Sequence, residues 1–133
     1  MSAALVDGIQ AGLAKRGFDD VRPVHGFAFA ALSGDNTTTS GLAAALGITK
    51  QAAAQLVDHL VARGYVTRVP APHDGRARAI VLTEHGHACT AAAEQTAAAA
   101  VDAWRRQLDP DTFQAFTHAL AGLAEPGRLR PAW

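Results

Sequence analysis

A single cysteine, Cys89, is all the thiol chemistry this sequence has, which excludes an internal disulfide. No run of ~18 apolar residues occurs that could span a bilayer, and the first residues lack the charged start and continuous apolar core of a signal peptide. A soluble cytoplasmic chain with no membrane contact is therefore the expectation. There is no net charge either: 12 basic residues balance 12 acidic ones, so the chain as a whole does not advertise a polyanionic partner. No nucleophile motif surrounds Ser33 or Ser40, no glycine-rich phosphate loop is present, and the carboxylates are scattered, so no enzymatic role is expected. The six histidines do not amount to a metal site. The only close pair, His85 and His87, would point to different faces of a helix, and nothing completes a four-ligand set. No metal and no cofactor is expected.

What the sequence does have is alanine, helical periodicity and one dense cluster of turn signals. Its 133 residues make one domain. Alanine favours helix but buries little apolar area per residue, so burial between two copies would help, although a genome-wide bias explains the alanines equally well. The fold class is mainly α with a small β-wing, a winged helix-turn-helix with a helical dimerisation region. The organising stretch runs from Thr38 to Thr83. Leu42, Leu46, Ile48, Ala53, Leu56 and Leu60 keep a period near 3.6 on either side of Gly47, which predicts two helices sharing a core across a tight turn. Thr49 caps the second helix, expected from about Lys50 to Arg63 with Gly64 at its end. Tyr65–Val69 then predicts a strand, Pro70, Pro72, Asp74 and Gly75 a turn, and Ala79–Leu82 the returning strand. With Ala53, Leu56 and Leu60 inward, the second helix would expose Lys50, Gln51, Ala52, Ala54, Gln55 and Asp58. From Thr49 to Arg78 the basic residues Lys50, Arg63, Arg68, Arg76 and Arg78 outnumber Asp58 and Asp74, a local excess suited to one DNA-facing side.

The flanks are helical. Leu5, Ile9 and Leu13 form a stripe on a first helix ending near Lys15–Gly17. Pro23 starts a second helix with Val24, Phe27, Ala28, Ala31 and Leu32 as its apolar face, ended by Gly34, Asp35 and Asn36. Thr37 and Thr38 fit a very short strand. A long helix from Thr83 to about Leu108 is stopped at Asp109-Pro110. In the last helix, opened by Asp109 or Asp111, Phe113, Phe116, Leu120 and Leu123 repeat at helical spacing and are the best candidates for an apolar dimer surface. A basic tail, Gly127–Trp133, closes the chain.

Three stretches taken together carry a resemblance: T-T-S-G-L-A-A-A-L-G-I from Thr38, L-V-D-H-L-V-A-R-G-Y-V-T-R from Leu56, and D-G-R followed by L-T-E-H-G from Asp74 to Gly86. In order and spacing the chain resembles the MarR family of bacterial winged helix-turn-helix transcriptional regulators. It departs at Gly41, where a glutamate is common and would complete a capping box. The resemblance implies a DNA-reading lobe over residues 36–83 and a dimerisation lobe formed by 1–17 and 84–133, with Leu5, Ile9 and Leu13 joining the last helix at the interface. It also implies that Arg76 enters the minor groove, held by Asp74. The DNA-facing set is then Thr49, Lys50, Gln51, Ala52, Ala54 and Gln55 on the helix with His73, Asp74, Arg76 and Arg78 on the hairpin; for His73 a solvated loop position is the competing reading.

On the resemblance the function is sequence-specific binding of double-stranded DNA by a homodimer at a near-palindromic site, as a transcriptional repressor. The family further implies a small aromatic effector in a cleft between the lobes, for which His25, Phe27, Phe29 and Trp104 are candidates against ordinary core packing. Some relatives sense oxidants through cysteine, but Cys89 has no adjacent Lys or Arg to lower its pKa. A winged helix that binds protein instead of DNA is the alternative, favoured by the zero net charge.

Overall fold

The computed structural model describes residues 2–34 and 37–123. Six helices and one hairpin follow the expected order: α1 (Ser2–Lys15), α2 (Pro23–Leu32), α3 (Thr39–Leu46), α4 (Lys50–Ala62), β1 (Val66–Ala71), β2 (Asp74–Leu82), α5 (Glu84–Gln107) and α6 (Pro110–Leu123). The proposed roles of Asp35 and Asn36 and of the Gly127–Trp133 tail fall outside the described residues.

Hydroxyls and glycines set the boundaries. Thr38, Thr49 and Thr83 each accept a hydrogen bond at 3.1 Å from the amide three residues on, capping α3, α4 and α5. Gly47 (φ 67°) and Gly64 (φ 76°) sit in the left-handed region that a Cβ disfavours. Behind each, the amides of Ile48 and Tyr65 reach back to the carbonyls of Ala43 and Leu60 and close the helix ends. Of the two candidates for opening α6, Asp109 does so. Its carboxylate accepts from the Thr112 amide at 2.9 Å, and this bond holds its pKa below the ordinary value.

One core joins α1–α5 and the hairpin, centred on Phe29, Leu42, Leu46, Val57, Leu60, Tyr65, Val66 and Ile80. Two faces are rotated relative to expectation. On α4 the buried positions are Ala53, Val57 and Leu60, and Leu56 is only half-buried. The spacing 53, 57, 60 is as helical as 53, 56, 60, and the larger Leu56 had masked it. On α2 the buried face is His25, Ala28, Phe29 and Leu32, with Val24, Phe27 and Ala31 half-buried. A histidine can lie inward here because its Nδ1 accepts the Arg22 amide at 3.0 Å, which removes the main cost of burying it.

Leu13, expected at a dimer interface, is buried in its own chain's core, 2% exposed. The reason is the tight α1–α5 packing: a Cβ on Gly12 would run into the Thr96 side chain, and Arg16 Nη1 donates to Thr96 Oγ1 at 2.9 Å. Leu5 and Ile9 remain half-buried.

The hairpin also differs from the sequence reading. Pro70 is not in the turn but within β1, opposite Arg78, and the strand continues to Ala71. A two-stranded sheet leaves each strand an open edge, where a residue lacking an N–H is tolerated. The turn is Pro72–His73. Thr37 pairs with Ile80, whose amide donates to the Thr37 carbonyl at 2.8 Å, so the expected short strand is present as a single bridge.

Candidate nucleic-acid interface

The candidate interface is built on α4. Lys50, Gln51 and Gln55 are exposed on its N-terminal half, whereas Ala52 and Ala54 are half-buried and offer less surface than a fully outward methyl. Thr49 is exposed, and its hydroxyl oxygen is engaged in capping. Asp58, one turn further, forms an ion pair with Arg68 on β1 at 2.5 Å, a tie between α4 and the hairpin. Both partners are substantially exposed, so the pair aligns more than it stabilises.

The wing gains its shape from the register. Pro70 faces Arg78 and Ala71 faces Asp74, so the register shifts between Pro70 and Ala71 and β2 bulges over Gly75–Ala77. In this bulge Arg76 is exposed, beside exposed His73, Gly75 and Arg78. The side chain of Asp74, to which the resemblance gives the role of holding Arg76, lies outside the described residues.

Not all of the local basic excess is left facing solvent alone. Arg68 is paired with Asp58, and Arg63 turns toward Asp20, with its Nε 3.8 Å from the carboxylate. Tyr65, 1% exposed, donates from its hydroxyl to the same carboxylate at 2.6 Å. That hydrogen bond is the main reason that the Asp20 pKa is lowered. Sequence reasoning overlooked Asp20, His59 and the orientation of Arg63. The i, i+4 pair His59/Arg63 was the available signal.

The four candidate effector residues do not line one cavity. His25 is buried but borders a polar cavity with His59 and Arg63, and Phe29 is in the core, 5.4 Å from the Tyr65 ring. Phe27 lines an apolar groove of about 290 Å³ between α1 and α2, with Val6, Ile9, Leu13 and Val21. Trp104 lines a separate apolar hollow of about 300 Å³ with Leu108, Phe113 and Phe116 where α5 meets α6. Cys89 is buried, and burial pushes its thiol up to about 11, away from the reactive thiolate. Among the described residues no three His, Cys, Asp or Glu side chains are grouped to hold a metal, and no helix is long and apolar enough to cross a membrane.

On α6 no residue is buried: Phe116 is 42%, Leu120 50% and Leu123 80% exposed. Phe113 is half-buried beneath the Arg105 guanidinium, 5.2 Å from the ring centre.

Residues 19–77 match the sequence model of the MarR family. No curated protein sequence matches the chain. Among solved structures, the chain is similar to RV1404 from Mycobacterium tuberculosis, with 21% identity, TM-score 0.81, and 92% of this chain and 83% of that one covered. It is similar to ligand-free MarR from E. coli, with 19% identity, TM-score 0.74, and 93% and 91% covered. It is also similar to CouR, described as a transcriptional repressor bound to a 23-mer DNA duplex, with 23% identity, TM-score 0.70, and 93% and 87% covered. At these identities the likeness concerns the fold.

Proposed function

We propose that the chain, whose residues 19–77 match the MarR family of transcriptional regulators and whose fold is shared with solved MarR-type structures, is a homodimeric repressor reading a near-palindromic DNA duplex. The observation that carries this reading is the joint display of exposed Lys50, Gln51 and Gln55 on α4 and exposed Arg76 in the wing bulge, with the two elements tied by Asp58–Arg68. Glutamine can bond both the N6 and N7 edges of adenine, and lysine can reach guanine or phosphate. Arginine on a protruding loop suits the narrow, strongly negative minor groove of A·T-rich flanks. Asp74 is assigned to orienting Arg76, and His73 and Arg78 to phosphate.

The uncovered apolar ridge of α6 supports pairing of two copies, and a two-fold axis would set the two α4 helices one DNA turn apart, about 34–36 Å. The groove beside Phe27 is apolar and of a size that fits one aromatic ring, which supports it as the seat of a small aromatic effector that releases DNA. The reading assigns no catalysis. Selection from random duplexes tests it: an inverted repeat whose affinity falls steeply with salt is expected. Zero net charge and the engagement of Arg63 and Arg68 favour the second reading, a protein-binding winged helix. Recovery of no duplex, or salt-independent binding, would support that one instead.

A further inference from the structure

A polar cavity of about 250 Å³ is lined by Asp19, Asp20, Arg22, His25, His59 and Arg63. It separates the N-terminus of α2 from the last turn of α4. The rings of His25 and His59 face each other across it with centroids 5.0 Å apart. Each ring accepts a hydrogen bond from a group that can only donate: the Arg22 amide reaches His25 Nδ1 at 3.0 Å, and Arg63 Nη1 reaches His59 Nε2 at 3.1 Å. A backbone N–H cannot accept in return, so His25 is neutral here with its proton on Nε2, while the Arg63 guanidinium, which can only donate, uses His59 Nε2 as its acceptor.

A proton added to His25 therefore removes an acceptor. It also places an imidazolium beside the other histidine and beside Arg63 and Arg22. On the opposite side, the Asp20 carboxylate already receives the Tyr65 hydroxyl and faces Arg63, and Asp19 completes the acidic rim. His85 stacks on the far face of Tyr65, 4.4 Å away, and adds a third imidazole near Asp20.

We propose that His25 and His59 form a proton-operated latch that fixes the last turn of α4 to the start of α2, and that acid opens it and weakens DNA binding. The second half rests on the DNA-binding reading above; the latch itself does not.

Burial, and then the neighbouring His59 and Arg63, push His25 from 6.5 down to about 4. The open form regains the ordinary value, so it binds more protons between those limits. The latched form is favoured above 6.5 and loses ground as the pH falls, by about 30-fold between about pH 7.5 and about pH 5.

Amide exchange reads this directly. Protection of the Arg63, Gly64 and Tyr65 amides, which close the end of α4, should fall about 30-fold over that interval after correction for intrinsic exchange. His25→Gln keeps an acceptor in the favoured capping position and His59→Gln keeps one for Arg63, but neither titrates. The double variant should hold constant protection. Exposed His59→Gln alone, which spares the core but removes the imidazole that helps hold the His25 pKa down, should lose part of the pH dependence. Equal pH dependence in wild type and variants, or none in wild type, overturns the latch. On the duplex recovered by selection, wild-type affinity should drop in acid and that of the double variant should not. Falling protection with unchanged affinity overturns the coupling to DNA. No duplex binding at either pH counts against the DNA reading, while exchange still decides the latch.

Discussion

Replacing Tyr65 with Phe isolates one hydrogen bond at the centre of the fold. The ring is almost fully buried, and its packing against His85 (4.4 Å, 23° between planes), Phe29 (5.4 Å) and Phe18 (6.5 Å) does not involve the hydroxyl, so the variant should keep all three contacts. What it loses is the 2.6 Å bond to Asp20. Hydrogen bonds to a charged partner contribute about 1.5–3 kcal/mol. The Asp20 side chain is 38% exposed and retains Arg63, so water and a guanidinium take up part of the loss and the low end, about 1.5 kcal/mol, applies.

For a chain of this size such a loss lowers Tm by roughly 3–6 °C. The pH dependence gives a second handle. The Tyr65 bond lowers the Asp20 pKa below 3.8, so its contribution is complete above that value and disappears as acid protonates the carboxylate. The deficit of the variant should therefore be constant from neutral pH to about 4 and narrow below it. On the alkaline side burial and Asp20 raise the phenol pKa, so the hydroxyl remains a donor and the deficit persists. Urea unfolding of both proteins over a pH series measures it. Equal stability at neutral pH, or a deficit that follows the titration of histidine instead, would refute the reasoning.

Gly86→Ala should be more damaging, because the added Cβ would clash with the Tyr65 carbonyl oxygen with backbone on both sides; about 3 kcal/mol is expected in the same assay. Phe116→Asp combined with Leu120→Asp touches no buried residue, so helical content should be kept while sedimentation equilibrium shows a monomer; a dimer that survives would place the interface elsewhere. Gln51→Ala should cost roughly 1–3 kcal/mol on the selected duplex and relax preference at one symmetric pair of positions, whereas Arg76→Ala should weaken all duplexes and flatten only the flank preference. Binding series against half-site and flank variants separate the two.

What was legible in the sequence is what local chemistry fixes. Thr38, Thr49 and Thr83 as caps, Gly47 and Gly64 as stops, Pro23 in a first turn and Asp109-Pro110 as the end of the long helix need only neighbours within a turn, and each stands where expected. Helix faces were less legible in an alanine-rich chain, because Leu56 and Val57 both keep period with Leu60 and only tertiary packing chooses Val57. The wing register was not legible at all. Pro70 reads as turn chemistry, and its place in β1 depends on having an open sheet edge. At the candidate interface the exposed residues Lys50, Gln51 and Gln55 followed from the helix period. The Asp20–Tyr65–Arg63 contacts join positions 45 and 43 residues apart, for which one sequence carries no pairing signal.

In the proposed arrangement of a DNA-reading lobe and a dimerisation lobe, the joint around Tyr65 would determine how the two communicate. Thr83 bonds from its hydroxyl to the carbonyls of Gly64 and Tyr65 and from its amide to the latter, while its oxygen caps Gly86. The end of α4 and the start of α5 are thus held together within one turn, and Gly86 lets the backbones approach. A 24-residue helix is about 36 Å long, so a tilt of about 5° at this joint displaces its far end by about 3 Å. The converse also holds: a small shift where α5 meets α6 turns α4 only slightly about the joint, yet in the proposed dimer it changes the separation of the two reading helices. Spacing errors of a few ångströms move side chains out of hydrogen-bond range of base edges. An effector or a proton therefore needs to alter an angle and not unfold an element, and the groove beside Phe27 and the His25–His59 cavity both lie against α2, which packs on α5.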